Sequence, residues 1–208
     1  MSALECQSAA ACHGLTDADR ERRVDLGVSG SLVVRPVSRD DVEGLVALYD
    51  SLDDGDRYLR FFSLYRPPRS FFERMANAAD RGGCQLVAVV GDDGVARIVG
   101  EAGYSPLPNG NGEFAITVHK EWRGWLGPFL LDALLAEASS RGIRYLEAEI
   151  LRSNRSMLAV AKARGCVTVA SVPKDWLSTH VMIATKPRVL ARRTSRPAVF
   201  ARHRTPAP

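Results

Sequence analysis

Only four cysteines, Cys6, Cys12, Cys84 and Cys166, occur in the 208 residues, and no two form a CxxC pair. A chain of this length can bury a core without covalent staples, so reduced thiols are expected rather than a disulfide framework. The four histidines, His13, His119, His180 and His203, are equally scattered, which argues against a zinc site and leaves no metal in the expected chemistry. No stretch approaches 18 consecutive apolar residues, so no membrane span is expected. The N-terminal "MSALECQSAAACHGLTDADRERR" lacks the basic start, apolar run and small-residue cleavage site of a secretory signal, and a soluble cytoplasmic protein is the expectation.

Charge of one sign is missing from the body and concentrated at the end. The formal net charge is +4, yet Lys186 to Pro208 holds seven Lys or Arg and no acid, so by subtraction the preceding residues carry −3. A body so near neutral offers no nucleic-acid face, which shows as clustered positive charge over a groove or helix. The tail "KPRVLARRTSRPAVFARHRTPAP" is read as a solubilising, poorly ordered segment, with contact to nucleic acid or acidic partners as the lesser reading. The composition, 46% apolar and 25% charged, suits one globular domain. Its divisions are expected at 1–30 (leader, with a short helix across "TDADRERRVD"), 31–186 (domain) and 187–208 (basic tail).

Periodicity supplies the elements. "SLVVRP" reads as a strand stopped by proline. Ser38 and Asp41 approximate a capping box before a helix carrying Val42, Leu45, Val46, Tyr49 and Leu52. "GDRYLRFFSLY" reads as a helix ended by Pro67 and Pro68, and another helix starts near Ser70. "CQLVAVV" and "ARIVGEAGYSP" flank "GDDG" as an antiparallel hairpin, and "GEFAITV" is the next strand. A long apolar helix with Leu130, Leu131, Leu134, Leu135 and Ala138 ends near "SRGI"; "YLEAEI" is a strand. "NRSMLAVAKARGC" is a helix capped by Asn154, and "CVTVASV" with "STHVMIATK" closes the domain as a hairpin. The expected class is α/β (α+β), with a mixed, mostly antiparallel central sheet flanked by helices.

"EWRGWLGPFLLDALL" places two glycines, an arginine and a proline just ahead of the long helix. A helix start presents unpaired N–H groups and a positive dipole end, so Arg123, Gly124 and Gly127 suit a phosphate, with Pro128 at the first helical position. A tight turn feeding a structural helix is the plainer alternative. The stretch matches neither the dinucleotide fingerprint nor the P-loop. Glu113 in the strand feeding this loop and Asn154 after the next strand are expected to converge at the ends of neighbouring strands, where open sheets place ligands.

From about Leu32 to Lys186 the chain resembles the GCN5-related N-acetyltransferase (GNAT) family. "RPVSRDDVEGLVALYDSL", "DRYLRFF", "GEFAITV" and "NRSMLAVAKARGC" are most similar to the acyltransferase domain of bacterial protein-lysine acetyltransferases. The family's loop is often Gln-Gly-Arg-Gly-Leu-Gly, and "RGWLG" reads like it with one residue lost, Trp125 standing where an arbitrary residue and a glycine belong. The resemblance implies the acyl-coenzyme A N-acyltransferase fold, acetyl-coenzyme A as co-substrate and an amine-bearing acceptor, with protein lysine favoured over a small amine. It implies that the backbone of Arg123, Gly124, Trp125, Leu126 and Gly127 holds the diphosphate, and that Ile116 and Val118 pair with the pantetheine as an added strand. Asn154 is implied either as a pantetheine ligand or as a helix cap.

An ammonium of pKa about 10.4 must lose a proton before attack. The resemblance makes Glu113 the base; a solvated strand-start glutamate is the alternative. The family's tyrosine acid is absent from "MLAVAKARGC", leaving Tyr145 and Tyr104 as substitutes by reach. The aromatics Tyr58, Phe61, Phe62, Tyr65, Phe71 and Phe72 are read as core first and acceptor-groove wall second, with Arg57 and Arg60 at its flank. Against an N-acyltransferase stand a non-catalytic binding or regulatory module of the same fold and, more weakly, nucleic-acid binding through the tail. Oligomeric state has no signature in the sequence.

Overall fold

The computed structural model describes residues 21–26, 31–92, 95–169 and 177–186. The expected tail and most of the expected leader lie outside these residues, as do the tip of "GDDG" and Trp176. Among the described residues the strands are β1 (Arg22–Asp25), β2 (Ser31–Pro36), β3 (Cys84–Asp92), β4 (Val95–Pro106), β5 (Gly112–Val118), β6 (Tyr145–Leu151), β7 (Val167–Val169) and β8 (Ser178–Ala184). They form one sheet in the order β1-β2-β3-β4-β5-β6-β8-β7. Every neighbouring pair is antiparallel except β5 and β6, which run parallel. The helices are α1 (Val42–Asp50), α2 (Asp54–Phe61), α3 (Arg69–Ala76), α4 (Leu126–Ser140) and α5 (Arg155–Ala163).

Side-chain alternation gives the sheet two buried faces. On one, Leu130, Leu131, Leu134 and Ala138 of α4 pack with Val99, Ala102, Phe114 and Leu146, and Met157 and Leu158 of α5 join them. On the other, Val42, Leu45, Leu48 and Tyr49 of α1 pack with Phe72 of α3 and with Val87 and Ile98. The sheet is thus the middle layer between α4–α5 and α1–α3.

At the entry to α1 the Asp41 carboxylate accepts from the Ser38 N–H at 2.7 Å and from both terminal nitrogens of Arg35 at 2.7 and 2.8 Å. This bidentate pair fastens the end of β2 to the start of the helix. Burial works against the charge on Asp41, but Arg35 and Ser38 outweigh it and hold the carboxyl below its ordinary range.

Two expectations are corrected. Arg22–Asp25 is not helical: Val24 sits opposite Leu32 in β1–β2 and packs on the core, and pairing with an open sheet edge overrides local helix propensity. The sheet therefore begins before residue 31. Second, α2 ends at Phe62, in the left-handed region at φ 60°, ahead of the prolines expected to stop it.

Candidate active site

The parallel register of β5 and β6 comprises Gly112 opposite Leu146 and Glu113 opposite Glu147. Beyond it each strand follows its antiparallel partner. β5 stays on β4 as far as Val118 opposite Gly100, while β6 stays on β8 as far as Leu151 opposite Ser178, so the sheet parts. The opening is a cleft of about 1010 Å³ walled by Phe114–Val118 on one side and by Ala148, Glu149 and Ile150 on the other. Ile116 and Val118 lie on this wall, where the side of β5 turned away from β4 has no strand beside it.

The loop before α4 closes one end of the cleft, through Arg123, Gly124, Gly127 and Pro128. Gly124 has φ +97°, a conformation that side chains rarely adopt, and the space a Cβ would occupy is open. Among the described residues, the N–H groups of Gly124, Trp125, Leu126 and Gly127 make no well-formed hydrogen bond to a backbone acceptor. They form the unsatisfied first turn of a helix and gather positive potential. Leu126 contributes only its amide, because its side chain is buried. Trp125 does likewise: its ring is 40% exposed, between Trp122 at 6.1 Å and Phe129 at 6.2 Å, and does not line the cleft. Pro128 is the third residue of α4 and not the first as expected, still within the turn whose amides lack partners, so it removes no hydrogen bond. The sequence places Arg123 free to meet a phosphate. In the structure its Nη2 donates to Asp56 Oδ2 at 2.6 Å and its Nε to the Val118 carbonyl at 3.4 Å.

Asn154 caps α5, its Oδ1 accepting from the Met157 N–H at 3.1 Å, and it also lines the cleft. Glu113 lines the cleft at the opposite end from the loop, at the start of β5 and not at a carboxyl end, with its side chain exposed. Tyr145 is not brought to the site. It opens β6 opposite Ala184, 36% exposed, on the paired side of the parallel register, whereas the strands part at the other end. Tyr104 lines the cleft with its ring under Gly112. Its buried hydroxyl meets no hydrogen-bonding partner at good geometry, and burial pushes its pKa up against the opposing charge of Arg141.

The aromatic group divides between both readings. Phe72 is core, Phe61 and Phe71 pack on it and line the cleft, and Tyr58, Phe62 and Tyr65 are exposed. The two arginines separate as well: Arg57 is 1% exposed and donates to the Tyr49 carbonyl at 2.6 Å, while Arg60 lines the cleft.

Two polar clusters escape sequence reasoning. Under the cleft, Glu101 is 1% exposed and accepts from Tyr49 Oη at 2.8 Å and from the Gln85 amide. Thr117 Oγ1 donates to Tyr49 Oη at 3.2 Å and receives Arg60 Nε at 3.2 Å. Burial, followed by the charge of Glu101, raises the Tyr49 pKa well above its ordinary value. Gly103 is glycine because a Cβ there would strike the Gln85 amide. The only sequence signal for this cluster is an acidic residue inside the apolar run "RIVGEAGY".

Beside Glu113, Glu147 accepts from Asn111 at 2.7 Å and Asn109 at 2.8 Å and faces His180 Nε2 at 2.8 Å. His180 Nδ1 lies 3.1 Å from Glu149, which also accepts from Ser178 at 2.8 Å. The Asn111, Asn109 and His180 hydrogen bonds hold the Glu147 carboxyl below its ordinary range against the pull of burial. Its partners come from three separate segments, so no local pattern announces them. Cys166 is a free, partly buried thiol whose pKa burial raises. Among the described residues no group of His, Cys, Asp and Glu is arranged to hold a metal ion, and no helix is long and apolar enough to cross a membrane.

The cleft fits an acyl-coenzyme A. Helix-start amides and a sterically open glycine stand at one end of it, a donor set suited to an anionic group, and a strand edge without a neighbour runs from there toward Glu113.

Comparison with known proteins agrees. The chain matches the GNAT domain of PAT from S. lividans at 26% identity and a TM-score of 0.70, covering 82% of this chain and 99% of that one. It matches a cAMP-binding acyltransferase from Mycobacterium smegmatis at 23% identity and a TM-score of 0.52, covering 80% of this chain but spanning only 48% of that protein. A third similar fold is yncA from Salmonella typhimurium, a putative acetyltransferase solved with its cofactor acetyl-CoA, at 18% identity, a TM-score of 0.60 and coverage of 74% and 94%. The sequence profile of the acetyltransferase (GNAT) domain matches residues 31–167. With that match over most of its length and the parted sheet to go with it, the chain belongs to the GNAT acetyltransferase family and is an acyl-coenzyme A-dependent acetyltransferase.

Proposed function

We propose that this protein transfers an acetyl group from acetyl-coenzyme A to a primary amine, a protein lysine before a small amine, with Glu113 as the base. The observation that carries the reading is the cleft itself, which has free helix-start amides at one end and an exposed carboxylate at the other. When bound, acetyl-coenzyme A supplies an acyl carbon activated as a thioester. The amides of Gly124 to Gly127 hold its diphosphate, and the open edge of β5 at Ile116 and Val118 pairs with the pantetheine. Asn154 keeps α5 in place beside that path, and its amide nitrogen is available to the same ligand.

Glu113 takes a proton from the acceptor ammonium, freeing the nitrogen lone pair for attack. No tyrosine on α5 is needed to protonate the leaving group, since a thiol of ordinary pKa about 8.5 departs readily as thiolate. Protein lysine is favoured by the resemblance of "GEFAITV" and "NRSMLAVAKARGC" to the protein-lysine branch, and the exposed Phe62 in the cleft lining offers apolar surface to an acceptor chain. The expected cytoplasmic location suits an acetyl-coenzyme A-dependent enzyme.

Calorimetric titration with acetyl-coenzyme A tests the donor half. A dissociation constant of about 1 mM or tighter, or about −4 kcal/mol at the weak end, is expected. No heat would move the protein to the non-catalytic reading, which the shortened "RGWLG" loop favours. Turnover on lysine peptides compared with small amines tests the acceptor half.

A further inference from the structure

Arg60 combines features that neither packing nor the base chemistry uses. Its Nε is fixed by Thr117 Oγ1 at 3.2 Å, its guanidinium lies 5.1 Å over the Phe61 ring, and it is only partly exposed. Thr117 occupies one of its five N–H donors. Among the described residues it forms no ion pair with a carboxylate, although Arg35, Arg69, Arg97, Arg123, Arg141 and Arg164 all do. Its two terminal nitrogens make no well-formed hydrogen bond among the described residues, and the side chain lines the cleft, so these donors are open to an acceptor there. Burial opposes its charge, but Tyr49, Glu101 and, more weakly, Glu113 keep it protonated.

Its position limits which acceptor that is. Glu113, Ala115 and Thr117 share one face of β5, and Arg60 is anchored at Thr117 while feeling the charge of Glu113. Arg60 therefore lines the cleft beside Thr117, in the part of β5 that has left β6. An amine that gives its proton to Glu113 attacks a carbonyl carbon in that same stretch.

Resting on the acyltransferase reading above, we propose that Arg60 is a further catalytic residue, which donates to the thioester carbonyl oxygen and stabilises the negative charge it gains. As the C–N bond forms, the carbonyl π pair moves onto oxygen beside the guanidinium. As that pair returns, the C–S bond breaks and the sulfur leaves as thiolate. The ammonium proton goes to Glu113 and the second nitrogen proton to solvent or to the thiolate, so amine, thioester and protons balance. The anchoring to Thr117, itself held by the Tyr49 hydroxyl, sets the donors before the charge appears, which is what makes such a contact effective.

Nitrogen-resolved spectra of the arginine side chains in the full chain test this without turnover. The Arg60 signals, assigned by Arg60→Lys, should shift with acetyl-coenzyme A and not with coenzyme A, which keeps every contact except the carbonyl. Identical spectra with the two ligands would overturn the assignment. With Nα-acetyl-lysine methylamide as acceptor, Arg60→Gln should lower kcat about 10²-fold with donor affinity unchanged, and Thr117→Val, which only loosens the guanidinium, should lower it less. Unchanged kcat in a folded Arg60→Gln would also overturn it. So would a shift and a loss confined to succinyl-coenzyme A, which would make Arg60 a reader of acidic acyl groups. If the wild type binds neither ligand, the acyltransferase reading itself fails.

Discussion

Arg123 and Asp56 meet at 2.6 Å, tying the loop before α4 to the first turn of α2. The one arginine of the "RGWLG" loop thus already has an anionic partner, and an incoming diphosphate competes with Asp56 for it. Asp56→Asn should tighten acetyl-coenzyme A binding by up to about fivefold, the range of a partly exposed pair. Calorimetry on the two proteins checks this, and weaker binding in the variant would mean that Asp56 aims Arg123 instead of holding it back.

Gly124→Val should weaken the donor at least tenfold. At φ +97° a β-branched residue is strained by about 1–3 kcal/mol, and relief of that strain turns the neighbouring amides away. The space beside Gly124 is open, so the core is untouched and melting should remain cooperative.

Glu113→Gln keeps shape and removes the proton acceptor. Turnover should fall by about 10²-fold or more while donor affinity stays nearly constant. A rise in rate with pH that belongs to the enzyme base should vanish in the variant, and one that belongs to the acceptor amine should persist. Equal turnover at saturating donor would leave Glu113 as a strand-edge carboxylate.

Acid should destabilise the fold through Glu147. Its folded pKa lies below the ordinary glutamate value of about 4.3, held there by Asn111, Asn109 and His180. A depressed carboxyl adds stability that is fully present above that ordinary value and is lost as pH falls through the folded one. Glu147→Gln should therefore melt lower than wild type near neutrality, with the gap closing below about pH 4. Asp41, also depressed, follows the same sign. Thermal melts of the wild type, Glu147→Gln and Asp41→Asn across the acid range check this.

Much of this architecture is legible in the sequence because it is local. The strand Gly112–Val118, the Asn154 cap and the Ser38–Asp41 turn rest on neighbours within a few positions, and each is found as read. Leu48 shows how the helical repeat misleads: it is buried although it lies off the stripe of Val42, Leu45, Val46, Tyr49 and Leu52, because α1 is covered by both the sheet and α3. The site is harder. Glu101, Tyr49, Thr117 and Arg60 come from four elements, and only the folded sheet shows that they touch. Tyr145 is a candidate by reach alone, and nothing local to it says at which end of its strand the sheet opens.

The parted strands leave the resting enzyme with a flaw in the middle of its sheet, an internal edge at Phe114–Val118 that lacks a neighbour. Whatever fills that edge completes the fold as well as serving as reagent. By mass action, a ligand at a hundred times its dissociation constant adds about 2.7 kcal/mol to stability. Resistance to heat and to proteases should thus rise with donor concentration, so that the sheet itself reports how much donor is present.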